Sequence, residues 1–282
     1  MSRGAPRMAR RLPEVHHVRK HTPQRLLPLA LMGLALCLSA CGPRDAASRT
    51  DAPLTLTLTP EDGVSLPATF YPAGPESVCG VVLVHDKGGT GAQWAPFAKR
   101  LQQSGIASIA FDLRGHGAGA DGPRSHREFT PSDWLRAGFD IQAAVQALAA
   151  HGVDPDNIGI AGAGMGATLA THYAAQDETI EALVLISPAL ESDGVAIRRA
   201  FEAYTQRPSL LVAARGDTYA ASSAQTLKRA ASTFCELREY AGGAHGIHLL
   251  DALVGAREEV VYWLESILKT SQDPAEQGDD TG

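Results

Sequence analysis

The sequence predicts an α/β domain, a mostly parallel sheet covered by helices on both faces. Two observations lead there. Between Leu54 and Lys269, short apolar runs alternate with amphipathic stretches of helical period. The first two runs are separated only by a turn, whereas each later run is followed by a helical stretch. Composition agrees with a globular core: 44% of the 282 residues are hydrophobic and 20% charged. The formal net charge of −6 leaves no electrostatic footprint for nucleic acid. Four cysteines are too few for a disulfide scaffold.

The elements follow in order. Leu54–Thr59 alternates apolar residues with Thr, a half-buried strand. Asp62-Gly63 turns the chain, and Ser65–Tyr71 returns as the second strand of a hairpin. Val78–His85 is a continuous apolar run, as a strand buried on both faces requires. Gln93–Gln103 is an amphipathic helix ended by Gly105, and Ile106–Asp112 is another buried strand. Ser132–Ala150 reads as one long helix capped by Ser132. Strands over Asn157–Ala161, Ile180–Ile186, Ser209–Ala213 and Cys235–Tyr240 then alternate with helices over Met165–Gln176, Ala196–Thr205, Ala221–Ala231 and Asp251–Lys269.

The termini read differently. The first 40 residues hold seven basic residues and one acid, Glu14. The block Leu26–Cys41 carries no charge, contains Pro28 and is 16 residues long, short of the ~20 a spanning helix needs. A basic region, an apolar block and small residues make a signal peptide. Leu38-Ser39-Ala40-Cys41 resembles the bacterial lipobox, in which the cysteine is lipidated; a plain secretory peptide is the alternative. The expected organisation is a signal over 1–40, a lipidated Cys41 and tether over 41–53, a domain over 54–270 and an acidic tail over 271–282. Gly42, rather than Asp, follows the cysteine. For a Gram-negative lipoprotein this implies an outer-membrane anchor facing the periplasm.

The chemistry-bearing motifs fall after strands, where open α/β sheets gather function. They are His85-Asp86-Lys87-Gly88-Gly89, Asp112-Leu113-Arg114-Gly115-His116-Gly117, Gly162-Ala163-Gly164-Met165-Gly166, Gly216-Asp217 and Ala244-His245-Gly246. In this order they resemble the α/β-hydrolase superfamily, in its uncapped esterase, dienelactone-hydrolase-like and serine-aminopeptidase-like branches. The resemblance implies an eight-stranded sheet and a serine nucleophile on a Gly-x-Ser-x-Gly elbow, with an acid and a histidine following in the chain. Asp217 stands at the acid position and His245 at the base position. Met165 and Lys87 would supply the backbone N–H groups of the oxyanion hole. Only one helix fits between Pro188 and Pro208, so no lid domain is expected.

The nucleophile position itself is Gly164. Without a hydroxyl no acyl-enzyme forms there, and losing such a nucleophile costs ~10⁶ in kcat. Glycine also relieves a strained elbow, a strain of order 1–3 kcal/mol. Three functions compete. A pseudoenzyme that keeps a pocket and the Asp/His pair leads. A non-covalent hydrolase or lyase with His245 as general base, and a conventional esterase with another nucleophile, follow. Ser187 and Thr168 are weak substitutes for the missing serine.

The remaining polar residues have plainer readings. His85 supports the oxyanion loop, and Arg114 and His116 fix the shape of theirs. Asp86 and Lys87 replace a more usual glycine and apolar residue, and a solvated loop is expected there. His245 and His248 are too few for a metal site, so no metal and no cofactor is expected. The family's strand order sets Cys79 and Cys235 about four strands apart, too far for a disulfide. The expected partners are a small acyl or ester-like ligand or a protein, and the membrane through Cys41.

Overall fold

The computed structural model describes residues 52–117, 125–204, 206–231 and 234–269. Cys41, the signal, most of the tether and the acidic tail lie outside the described residues.

Eight strands make the main sheet: β1 (Leu54–Leu58), β2 (Leu66–Tyr71), β3 (Gly80–Val84), β4 (Ala107–Phe111), β5 (Ile158–Ala163), β6 (Ile180–Ile186), β9 (Ser209–Ala214) and β10 (Cys235–Tyr240). Two short strands, β7 (Glu191–Ser192) and β8 (Val195–Ala196), form a separate hairpin. The main sheet runs β1-β2-β4-β3-β5-β6-β9-β10. β2 is antiparallel to both β1 and β4, and every other pair is parallel.

Burial explains why these runs are strands. All residues of β3, β4, β5 and β9 are buried. Along β3 the side chains alternate between the two faces. Val82 and Val84 enter the core with Ile141, Leu148 and Leu169; Val81 and Leu83 enter the one with Phe97, Leu101 and Leu264. The first core belongs to α3 (Gly138–Ala150), α4 (Met165–Ala174), α5 (Arg198–Tyr204) and α6 (Thr218–Ala230). The second belongs to α1 (Ala95–Gln103), α7 (Ile247–Ala252) and α8 (Val254–Leu268).

Several element boundaries differ from the expected ones. The long helix over 132–150 is two, α2 (Pro131–Leu135) and α3, broken at Arg136-Ala137. Its cap is Thr130, not Ser132. The Thr130 hydroxyl accepts from Asp133 N, and Thr130 N donates to the Asp133 carboxylate at 2.9 Å. That reciprocal pair satisfies two otherwise orphaned donors, and Pro131 suits the first helical position. The final helix divides at Leu253 into α7 and α8. Gly91–Trp94 is a 3₁₀ turn leading into α1, and residues 191–196 form the β7–β8 hairpin ahead of α5.

A buried ion network holds the loop after β4. Arg114 donates through Nε at 2.9 Å and Nη2 at 2.5 Å to Asp140 on α3, and through Nη1 at 2.6 Å to Asp62. Asp140 is fully buried and also accepts from Arg114 N at 2.9 Å. Cys79 and Cys235 are both buried, beside β3 and at the start of β10, four sheet positions apart, and are not bonded to each other.

Candidate active site

The elbow comes from β5 running directly into α4. Gly164 sits between them at φ +52° and ψ −117°, a backbone that only glycine adopts without strain. Gly162 and Gly166 are equally constrained. A Cβ on Gly162 would collide with the backbone of Gly166, and one on Gly166 with the carbonyl of Val84. Gly164 N donates to Ile186 O at 3.0 Å, which ties the elbow to β6.

The loop after β3 turns tightly, with Gly89 N donating to Asp86 O at 2.9 Å and Gly88 at φ +75°. Leu113 N donates to His85 Nε2 at 2.9 Å. The ring's Nδ1 therefore carries the proton that goes to Asp86 O at 2.7 Å. Burial pushes the His85 pKa down, consistent with a neutral structural imidazole.

Asp86 is the unexpected part of the site. Its side chain turns inward rather than into solvent. Oδ1 accepts from Lys87 N at 2.7 Å and from Met165 N at 2.7 Å. These are the two amides that the sequence marks as oxyanion donors. A Cβ built on Gly164 would fall on the Asp86 carboxyl group, overlapping its carbon and both oxygens. The carboxylate thus fills the space over Gly164 where a serine side chain would stand, with one oxygen between the two amides expected to form an oxyanion hole. Only the Lys87 ammonium keeps to the surface, paired with Asp193 of the β7–β8 turn at 2.5 Å.

His245 stands between two carboxylates. Its Nδ1 is 2.5 Å from Asp217 Oδ2, and its Nε2 is 3.2 Å from Asp86 Oδ2. Asp217 precedes α6, and Gly216 lets its loop approach the Gly242 carbonyl closely, with Gly216 N donating at 2.7 Å. The hydrogen bond to Asp86, then that to Asp217, raise the His245 pKa to about 9 against the opposing effect of burial. Burial pushes Asp86 up, but hydrogen bonds from His245, Met165 and Lys87 outweigh it, and the net shift is downward. At neutral pH the pair is imidazolium and carboxylate.

The structure brings Gly164, Met165, Lys87, Asp217 and His245 to one place. Ser187, at φ +49° after β6, is buried and accepts from Gly246 N at 2.9 Å, so it braces the His245 loop instead of facing a substrate. Thr168 is buried within α4, and His248 is exposed on α7. Among the described residues no cluster of His, Cys, Asp and Glu could hold a metal ion. Asp86 is the residue that sequence reasoning placed wrongly. Its signal was a pairing of two departures, a glycine at the elbow and a carboxylate in the loop that faces it.

Beside the site, His116 stacks on His126 at 3.9 Å and meets His85 edge-on at 5.0 Å. Burial lowers the His116 pKa to about 4. The unfolded chain then binds a proton that the folded chain refuses, so stability falls as pH drops from about 6.5 towards 4. The loss attributable to His116 is on the order of 3 kcal/mol. His245 has the opposite sign: its raised pKa stabilises the fold below about 6.5, and that contribution fades as pH rises through 9. Urea midpoints measured from pH 4 to 10 should therefore peak near neutrality. A flat acid limb would contradict the burial of His116.

A family model described as serine aminopeptidase, S33, matches residues 76–212. No curated protein sequence matches the chain. Among solved structures, the chain is similar to a dienelactone hydrolase from Anabaena variabilis. The two are 18% identical with a TM-score of 0.62, over 77% of this chain and 98% of that one. An esterase from Pyrococcus furiosus aligns at 19% identity and TM-score 0.63, covering 77% of this chain and 91% of the other. A 2,6-dihydroxy-pseudo-oxynicotine hydrolase aligns at 17% identity and TM-score 0.65, covering 78% and 69%. At such identities these likenesses speak for the fold.

Proposed function

We propose that the chain is an α/β-hydrolase of esterase type that no longer performs serine acyl transfer, a pseudoenzyme toward esters; the serine aminopeptidase family model over residues 76–212 and the likeness to dienelactone hydrolase and esterase structures support the family. One observation carries this reading. The Asp86 carboxylate lies over Gly164 and holds both oxyanion amides. An ester carbonyl entering the site finds neither a hydroxyl to attack it nor a free donor pair to stabilise the charge. A general-base role for His245 is opposed by its proton, which it keeps up to about pH 9. What remains for an acyl or ester-like ligand, or a protein partner, is the half-exposed rim around His245.

The proposal extends to the cell envelope. Cys41 is the lipidated residue, the segment up to residue 53 is the tether, and the domain faces the periplasm from the outer membrane. The composition of residues 1–53 supports this. Globomycin treatment of cells expressing the full chain should cause its precursor to accumulate.

A fluorophosphonate probe tests the central claim. The wild-type chain should take up no probe and should hydrolyse p-nitrophenyl acetate at the buffer rate. Labelling of any serine, or ester turnover that His245→Ala abolishes, overturns it.

A further inference from the structure

We propose that a cleft between α3 and α4 is a second ligand site, and that it takes an organic cation, an ammonium group carried on an aromatic body. The inference does not rest on the reading of the strand-end site, because among the described residues the cleft shares no lining residue with it.

The cleft follows from how the two helices are laid down. β4, β5 and β6 lie in one parallel run of the sheet. α3 and α4 each carry the chain back between them, so the two helices run the same way over one face. Gly138, Phe139 and Gln142 form one stripe of α3, and Leu169, His172 and Tyr173 form the facing stripe of α4, both at helical spacing. Gly138 has no side chain to fill the space between them, and a Cβ there would meet nothing within 4 Å. The cleft that results measures about 640 Å³, inside the ~300–1,000 Å³ of small-molecule sites.

Its lining divides by chemistry. Exposed Leu135, at the end of α2, joins Phe139 and Leu169 near the early turns of the two helices. Past the last turn of α4, Asp177 and Glu178 close the other end. Asp177 is held firmly: Oδ2 accepts from the Tyr173 hydroxyl at 2.7 Å, and Oδ1 from Thr179 N at 3.0 Å and Thr179 Oγ1 at 2.6 Å. Burial pushes its pKa up, but the hydrogen bonds from Thr179 and Tyr173 outweigh it, and the net shift is downward. Glu178 is exposed and has no hydrogen-bond or ion-pair partner among the described residues.

No lysine or arginine lines the cleft among the described residues. The Arg207 guanidinium, close by, is bonded to the carbonyls of Ala174, Asp177 and Ile180 and lies over the Tyr204 ring at 4.2 Å. His172 donates through Nε2 to Ala196 O at 3.0 Å. Two acids with no opposing cation repel an anionic ligand and attract a cationic one. The rings of Phe139 and Tyr173 suit both an aromatic body and the charge it carries.

Calorimetric titration of the full chain with three indoles tests this, since they differ only in the group that ends the side chain. Tryptamine should bind, tryptophol should bind about tenfold more weakly, and indole-3-propionate should give no heat of binding. Glu178→Gln and Asp177→Asn should each weaken tryptamine by about threefold. Gly138→Leu should abolish its binding by filling the cleft. That position lies in a helix and has open space before it, so the melting temperature should not fall. Four results overturn the inference: no tryptamine binding below about 1 mM, equal affinity for the three indoles, an affinity unchanged in both acid variants, or binding that survives Gly138→Leu.

Discussion

Gly164→Ser alone should leave the chain silent toward esters, while Gly164→Ser with Asp86→Ala should gain both probe labelling and ester turnover. The single variant fails for two reasons. Serine at φ +52° carries backbone strain of order 1–3 kcal/mol. Its Cβ also lands on the Asp86 carboxyl group, which must leave its amides to make room. The melting temperature of the single variant should fall by roughly 4–8 °C, the equivalent of about 2 kcal/mol in a domain of this size. Removing the carboxylate clears the collision, frees Met165 N–H and Lys87 N–H, and withdraws the main cause of the raised His245 pKa. A serine would then meet a base able to accept its proton. Hydrolysis of p-nitrophenyl acetate by the double variant should exceed that of wild type by at least ~100-fold, given the ~10⁶ a nucleophile contributes elsewhere. If the double variant stays unlabelled, Asp86 is not what separates this site from a working esterase.

The largest effect on stability is expected at Asp140. Asp140→Ala strands the Arg114 guanidinium in a buried setting, and removing one partner of such a pair costs about 3–5 kcal/mol. Asp62 still holds one end of the guanidinium, so the lower half of that range applies first. Asp62→Ala should cost less, because its side chain is 14% exposed and water can replace it. Guanidinium chloride unfolding of the three proteins measures both differences. A loss at Asp140 of under about 1 kcal/mol would show that water or a rearranged Arg114 fills the gap.

Much of the fold was legible because burial on both faces leaves an unmistakable run. Val81 to Val84 and Leu183 to Ile186 have no polar alternation to misread. That the Gly164 turn, Asp217 and His245 come to one place was legible because each follows a strand at the same edge of the sheet. Helix ends were less so. Ser132 and Thr130 are both good caps, and only the reciprocal bond with Asp133 decides between them. The break at Arg136-Ala137 leaves the apolar period nearly unchanged, so periodicity passes over it. Asp86 was illegible one residue at a time. A carboxylate in a glycine-rich loop is ordinarily solvated, and nothing local shows that the residue facing it across the fold is a glycine without a side chain. The two positions lie 78 residues apart in sequence, and only the folded loop superimposes them.

That overlap at Gly164 fixes the order in which an ancestral serine site could have reached this one. An aspartate resting on the two amides would collide with a serine at position 164, so that arrangement requires the glycine first. Once the aspartate had settled onto the two amides, a return to serine met the same collision from the other side. The aspartate rests on the amides only where position 164 is glycine, and the pair works as a ratchet. Reversion at position 164 alone is opposed, and the way back runs through position 86 first.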